Sequence, residues 1–162
     1  MEINLTDLKK KAAEKQKENA AYLQKAAKKI PMRAIYEAHE AAFSEIDCMK
    51  CANCCKSLGP RFKTPDITRI SNRLKIKEAD FIENYLTVDE DGDYVAGSLP
   101  CPFLDQENHC LIYEDRPGDC RKYPYTDSDV LFKRPKTTLA NAAYCPAVYT
   151  VLEMLKKVGY KK

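Results

Sequence analysis

Along the first third of the chain, apolar residues return at helical intervals. Leu5, Leu8, Ala12, Tyr22, Leu23 and Ala26 form a thin stripe amid lysine and glutamate, which predicts an amphipathic helix over residues 5–29. Pro31 suits a first helical turn, and Ile35, Ala38, Ala42, Phe43 and Ile46 carry a second helix to about Asp47. Residues 56–63 contain Gly59-Pro60 and read as loop. Thr64-Pro65-Asp66 reads as a helix start, with Thr64 as cap and the helix ending near Leu74. A short helix is expected from Lys77 to Leu86, with Ala79, Phe81, Ile82 and Tyr85 available for a core. Asp91-Gly92 then separates two short strand candidates, 86–90 and 93–97. Residues 98–125 lack a period and hold three cysteines and four prolines. A short strand is expected around Val130–Phe132. Pro146 opens a last helix, Ala147–Val158, apolar at Val148, Val151, Leu152 and Leu155, with Gly159 as its stop and Lys161 and Lys162 as a frayed tail.

These elements predict a small α-rich α+β fold, with helices, long irregular loops and little β structure. A length of 162 residues suits one domain with an appended helix. The expected division is a basic amphipathic helix over residues 1–30 and a cysteine-cluster metal-binding domain over residues 31–162. The two helices before Cys48 are expected to form a hairpin against the last helix. The lysine-rich first helix could dock on the body, pair with a partner helix or lie on a polyanion; a solvated helix packed by one edge is the plainest reading. No apolar run reaches the length of a membrane span, and the N-terminus lacks the apolar run of a secretory signal. A cytoplasmic protein is therefore expected.

Composition adds one outstanding feature, eight cysteines: Cys48, Cys51, Cys54, Cys55, Cys101, Cys110, Cys120 and Cys145. Reducing compartments disfavour disulfide scaffolds, so thiols in such numbers point to metal. The first three follow Cys-x₂-Cys-x₂-Cys, which is the spacing of the ferredoxin iron–sulfur run. Zinc sites also use Cys-x₂-Cys, with a second pair supplied later in the chain. A threefold run tilts the reading toward an iron–sulfur cluster, 4Fe–4S in type, over one or two zinc ions. Cys55 follows Cys54 directly, and adjacent side chains are expected to diverge, so the two are poor partners for one mononuclear site. Proline follows Cys101 and Cys145, stiffening the chain without adding a donor. A redox dithiol would want a strand-to-helix setting, whereas here the motif follows a helix and leads into Gly-Pro. The formal net charge is +3, and two four-thiolate zinc sites would bring it to about −1, so it argues little for nucleic acid.

The run Cys48–Cys55 resembles the Cys-x-x-Cys-x-x-Cys-Cys motif of the YkgJ-type cysteine-cluster family, described as a zinc- or iron-chelating domain. The resemblance continues through Cys101-Pro102-Phe103-Leu104 and Cys110-Leu111-Ile112-Tyr113. It runs on through Arg116-Pro117-Gly118-Asp119-Cys120-Arg121-Lys122-Tyr123-Pro124 to Cys145-Pro146, covering about residues 45–148. The family often carries glycine near the first cysteines, where this chain has Lys50, Ala52 and Asn53. The resemblance implies metal binding without a general activity. It extends to a domain of flagellin lysine methylases that look like iron–sulfur proteins, but no segment here reads as a cofactor-binding methyltransferase domain.

Around the cysteines, Arg116 and Arg121 flank Cys120 and could stabilise thiolate charge, bond cluster sulfide or pair with Glu114, Asp115 or Asp119. Tyr113, Tyr123, Tyr125, Phe103 and Leu104 are expected to pack around the site and exclude water. His109 is a secondary candidate for a ligand or outer donor, Asp105 and Glu107 read as loop solvation, and His39 reads as a helix residue rather than a ligand. Three functions compete: an iron–sulfur redox or accessory enzyme, a zinc-structured interaction module and a nucleic-acid binder. The last ranks lowest, because only Tyr22 accompanies the lysines of the first helix and no Cys₂His₂ spacing exists. Neither a protein nor a small-molecule partner is named by the sequence. Without metal, residues 98–145 are expected to be loose even where helices persist.

Overall fold

The structure is a computed structural model that describes residues 4–158. Its described helices are α1 Leu5–Ala26, α2 Met32–Glu45, α3 Cys48–Cys51, α4 Asn53–Ser57, α5 Thr64–Leu74, α6 Glu78–Tyr85, α7 Gly118–Lys122, α8 Val130–Lys133, α9 Pro135–Ala142 and α10 Pro146–Lys157. A two-stranded sheet of β1 Leu86–Val88 and β2 Tyr94–Ala96 and a 3₁₀ turn at Tyr113–Asp115 complete them. The fold is thus mostly helical with a small sheet and long loops, as the sequence pattern predicts. The chain divides into two units, Met1–Cys48 with Pro124–Lys162, and Met49–Tyr123.

In the first unit, α10 packs against both α1 and α2, and α9 packs against α1 and α10. The apolar stripe of α1 is docked rather than free: Leu8, Ala12, Tyr22, Leu23 and Ala26 are buried. Ala12, Tyr22, Leu23 and Ala26 meet Ile35, Ala38 and Ala42 from α2 and Val148, Val151, Leu152 and Leu155 from α10 in one core. Asn4 caps α1, its side-chain oxygen accepting the Thr6 N–H at 3.0 Å. Past Ala26 the chain reaches Lys28 at φ 68°, which ends the helix before the expected residue 29. Gly159, Lys161 and Lys162 lie outside the described residues.

Val130–Phe132 is helical, not a strand. The carbonyl of Asp129 accepts N–H groups from Phe132 at 3.0 Å and Lys133 at 3.1 Å, and Lys133 returns to the Asp129 carboxylate at 2.7 Å. Among the described residues no strand pairs with this segment, and a single helical turn both satisfies its backbone and buries Leu131 among helices.

In the second unit, Phe62, Ile67, Ile70, Phe81, Leu86, Ala96, Phe103 and Ile112 form a separate core. α5 begins one residue earlier than Thr64 as a cap would place it: Lys63 precedes the helix and donates its N–H to the Asp66 carboxylate at 3.0 Å. Leu86 pairs with Ala96, Thr87 with Val95 and Val88 with Tyr94, antiparallel. Gly92, at φ 82°, supplies the positive φ of the connecting turn, and the Asp89 carboxylate accepts the N–H groups of Asp91 and Asp93.

Candidate metal centre

The cysteine run is two single-turn helices, α3 and α4, broken at Ala52 with φ 45° and ψ 18°. That left-handed conformation is where glycine is most at ease, and Ala52 stands in the stretch where the resembled family often carries glycine. Cys54 and Cys55 do not diverge as adjacent residues were expected to. Their Sγ atoms lie 3.9 Å apart, close to the edge of about 3.8 Å that a tetrahedron of 2.3 Å zinc–sulfur bonds would have.

A backbone hydrogen bond ties this run to the next cysteine: Cys101 donates its N–H to the Cys55 carbonyl at 2.7 Å. From there the chain makes a narrow clasp. Leu104 donates to the Cys101 carbonyl at 3.0 Å, Leu104 and Cys110 form an antiparallel bridge, and Leu111 donates to the Phe103 carbonyl at 2.8 Å. The turn of the clasp is built on Asp105, whose carboxylate accepts the N–H groups of Glu107 at 2.8 Å and His109 at 2.7 Å. Asp105 therefore shapes the loop rather than merely solvating it. His109 is exposed, with Nδ1 3.5 Å from the Asp105 carboxylate and 3.7 Å from that of Glu107. The clasp is anchored by Phe103, which stacks on Tyr85 at 5.1 Å and on Phe81 at 6.0 Å between ring centroids, and by buried Ile112. Phe103 thus packs in the core. Tyr113, in contrast, is exposed and lies beneath the Arg116 guanidinium, 3.9 Å from its ring centroid.

Cys120 sits in α7, and polar contacts hold that helix. Asp66 accepts the Gly118 N–H at 3.2 Å and the Arg69 guanidinium at 2.8 Å. Arg61 bridges Asp119 at 3.3 Å and Asp93 at 3.2 Å. Arg69 also donates to the carbonyls of Asp115 and Arg116, and Arg73 reaches the Asp115 carboxylate at 3.0 Å. Arg116 donates to the Tyr113 carbonyl at 2.6 Å, and Arg121 donates to the carbonyls of Arg116 at 3.1 Å and Glu114. The side-chain hydrogen bonds of Arg116 and Arg121 go to backbone oxygens rather than to Glu114, Asp115 or Asp119. Asp66, Arg69 and Arg73 were not singled out by motif. Their signal was positional, since spacings of i, i+3 and i+7 place them along one face of α5.

Electrostatics links four of the thiols. The Cys120 thiol is pushed up to about 12, first by burial and then by charge on Cys55, Cys101 and Cys110, with Asp119 adding to it. Burial raises Cys101, and Cys55 and Cys110 raise it further against the N–H of Phe103. Burial raises Cys110 as well, with Cys55 adding to it, while the Ile112 N–H and the charges of Arg116 and Arg73 pull it down. Cys55 moves the other way, to about 7, because a hydrogen bond from Cys54 outweighs its burial and Lys56 assists. Three separate stretches of the second unit therefore bring Cys55, Cys101, Cys110 and Cys120 within range of one another's charge. Cys51 and Cys54 belong to the same unit, whereas Cys48 and Cys145 belong to the other. Among the described residues, no three His, Cys, Asp or Glu side chains are drawn close enough to hold a single metal ion.

The donor set suits a soft metal or cluster: half-buried thiols, with arginine charge nearby to offset thiolate repulsion. No helix among the described residues is long and apolar enough to cross a membrane. No curated protein and no solved structure matches the chain. A family profile does match, over residues 47–146, from the first cysteine of the run to the last in the chain, and on that match the chain belongs to the family described as "CxxCxxCC: Putative zinc- or iron-chelating domain".

Proposed function

We propose that this chain is an iron–sulfur protein in which Cys55, Cys101, Cys110 and Cys120 hold one cluster, 4Fe–4S in type. The observation that carries the reading is the backbone arrangement that ties the Cys55, Cys101 and Cys110 segments of one unit together, the Cys101 N–H bonding the Cys55 carbonyl at 2.7 Å and Leu104 bridging Cys110, with the charges of these three thiols also felt at Cys120. The Cys-x₂-Cys-x₂-Cys spacing of Cys48, Cys51 and Cys54, shared with the ferredoxin run, favours a cluster over a single ion. The cluster would supply one-electron chemistry. The chain's own part is to present four thiolates, neutralise some of their charge and pack Phe103 and Ile112 beneath the clasp that carries two of them. Four protein ligands leave no open position, so the role is electron transfer or support of another protein's chemistry rather than substrate activation. Cys48, Cys51, Cys54 and Cys145 have no assigned place in this group.

Zinc is the second reading, favoured by the 3.9 Å separation of the Cys54 and Cys55 sulfurs. The chain would then be a zinc-structured module whose function is to present a surface to a partner. Anaerobic isolation with iron, sulfide and zinc analysis, visible absorption and paramagnetic resonance separates the two. A cluster gives brown protein with matched iron and sulfide, lost when Cys55, Cys101, Cys110 and Cys120 are changed to serine. Colourless protein with stoichiometric zinc supports the second reading, and protein that takes up neither metal nor cluster overturns both.

A further inference from the structure

We infer that Arg69 is a positioning residue for metal binding, holding the Cys110–Cys120 loop ready for ligation before the metal arrives. The inference rests on the reading of Cys110 and Cys120 as ligands. Nine residues separate these two cysteines. Within them, the carbonyls of four consecutive residues, Tyr113 to Arg116, accept hydrogen bonds from arginine side chains. Arg116 takes the first and Arg121 the second. Arg69 takes the third through Nε at 3.2 Å and Nη2 at 3.1 Å. Arg69 Nη2 at 3.0 Å and Arg121 Nε at 3.1 Å share the fourth.

Arg116 and Arg121 belong to this segment and its following helix turn, so they can only stiffen it locally. Arg69 comes from α5 and ties the loop to the core of the unit. It is itself oriented by Asp66, which uses the same oxygen to accept the Gly118 N–H two residues before Cys120. A loop fixed in this way loses little freedom when its thiols close on a metal. A loose loop would lose that freedom on binding, and the affinity would fall accordingly. The guanidinium plane is needed because it spans two successive carbonyls, whereas an ammonium is a single point donor.

The test is a cobalt(II) titration of reduced, metal-free full-length protein, comparing wild type with Arg69→Ala, Arg69→Lys and, as a control, Thr68→Ala. Thr68 lies beside Arg69 on α5 but bonds Glu78 instead of the loop. Arg69→Ala and Arg69→Lys should bind cobalt about tenfold to a hundredfold more weakly, while Thr68→Ala stays near wild type. At saturation both Arg69 variants should still show the wild-type thiolate–cobalt spectrum, because the ligands are unchanged. Wild-type affinity in Arg69→Lys, or an altered saturated spectrum, overturns the inference. If Arg69→Ala does not fold, Arg69→Lys alone decides. Absence of any thiolate–cobalt band in wild type overturns the inference, while iron and sulfide analysis of the anaerobically isolated protein still decides the cluster reading by itself.

Discussion

Asp66 joins three segments of the second unit, its carboxylate accepting from the Lys63 and Gly118 N–H groups and from the Arg69 guanidinium. Burial pushes its carboxyl up, but the Arg69 guanidinium and the N–H groups of Lys63 and Gly118 outweigh burial, leaving it below the ordinary carboxylate value. The sign of the linkage follows. A depressed carboxyl adds stability that is fully present above its unfolded value and is lost as pH falls through the folded one. Asp66→Asn should destabilise the second unit by about 2 kcal/mol at neutral pH, since two charge-assisted contacts and a helix start are weakened together. It should also flatten the acid limb of stability. Denaturant melts at neutral and acidic pH check both, and a variant that loses stability with acid as steeply as wild type would refute the assignment. The same residue shows what a sequence conceals. The thiols were legible because ligating chemistry is written in the residue type, and the spacing of Cys48–Cys55 narrows it further. Arg69 was not, because it acts on backbone carbonyls 46 and 47 positions away. Every residue has such a carbonyl, so nothing in the sequence marks which ones will be used.

Among the elements, the long periodic helices and the short α6 were readable, whereas α9 and the single-turn helices were not. α1, α2, α5 and α10 each bury a stripe that recurs at helical spacing, so period and burial agree. α8 has four residues, too few for a period to show. Its Val-Leu-Phe composition favours a strand until tertiary packing among helices decides otherwise. The end of α5 offers a sharper case. Lys75 follows the helix at φ 55° and ψ 41°, its N–H bonds the Asn72 carbonyl, and the Ile76 N–H bonds that of Ser71 at 3.1 Å. This is a Schellman closure with Ile76 packed against the second core. Lysine holds a conformation that glycine adopts without strain, and its side chain is exposed. Lys75→Gly should therefore stabilise the protein by about 1 kcal/mol, read as a higher denaturation midpoint with an unchanged slope. A lower midpoint would show that the lysine side chain matters more than the backbone strain.

At the scale of the whole molecule, the two units differ in what holds them together. The first has a continuous core of helix stripes from α1, α2 and α10, built from Leu23, Ile35, Val151, Leu152 and Leu155. The second has a smaller core, and the segments carrying Cys101, Cys110 and Cys120 are fixed largely by hydrogen bonds and arginine contacts. Metal ligation by those thiols would add its free energy to the second unit, because binding to the folded state alone stabilises that state. Removing the metal anaerobically with a chelator should therefore affect the chain unevenly. Amide hydrogen exchange should quicken across residues 101–120 and stay slow through α1, α2 and α10. Protons must also leave Cys101, Cys110 and Cys120, whose thiols burial holds above the ordinary value, so the chelator should strip the metal more readily as pH falls. Equal loss of protection in the helices of both units would mean that the chain folds as one cooperative block with metal as its general support. Unchanged protection at residues 101–120 would mean that the arginine contacts and the Phe103 core hold the clasp by themselves, leaving ligation to serve chemistry alone.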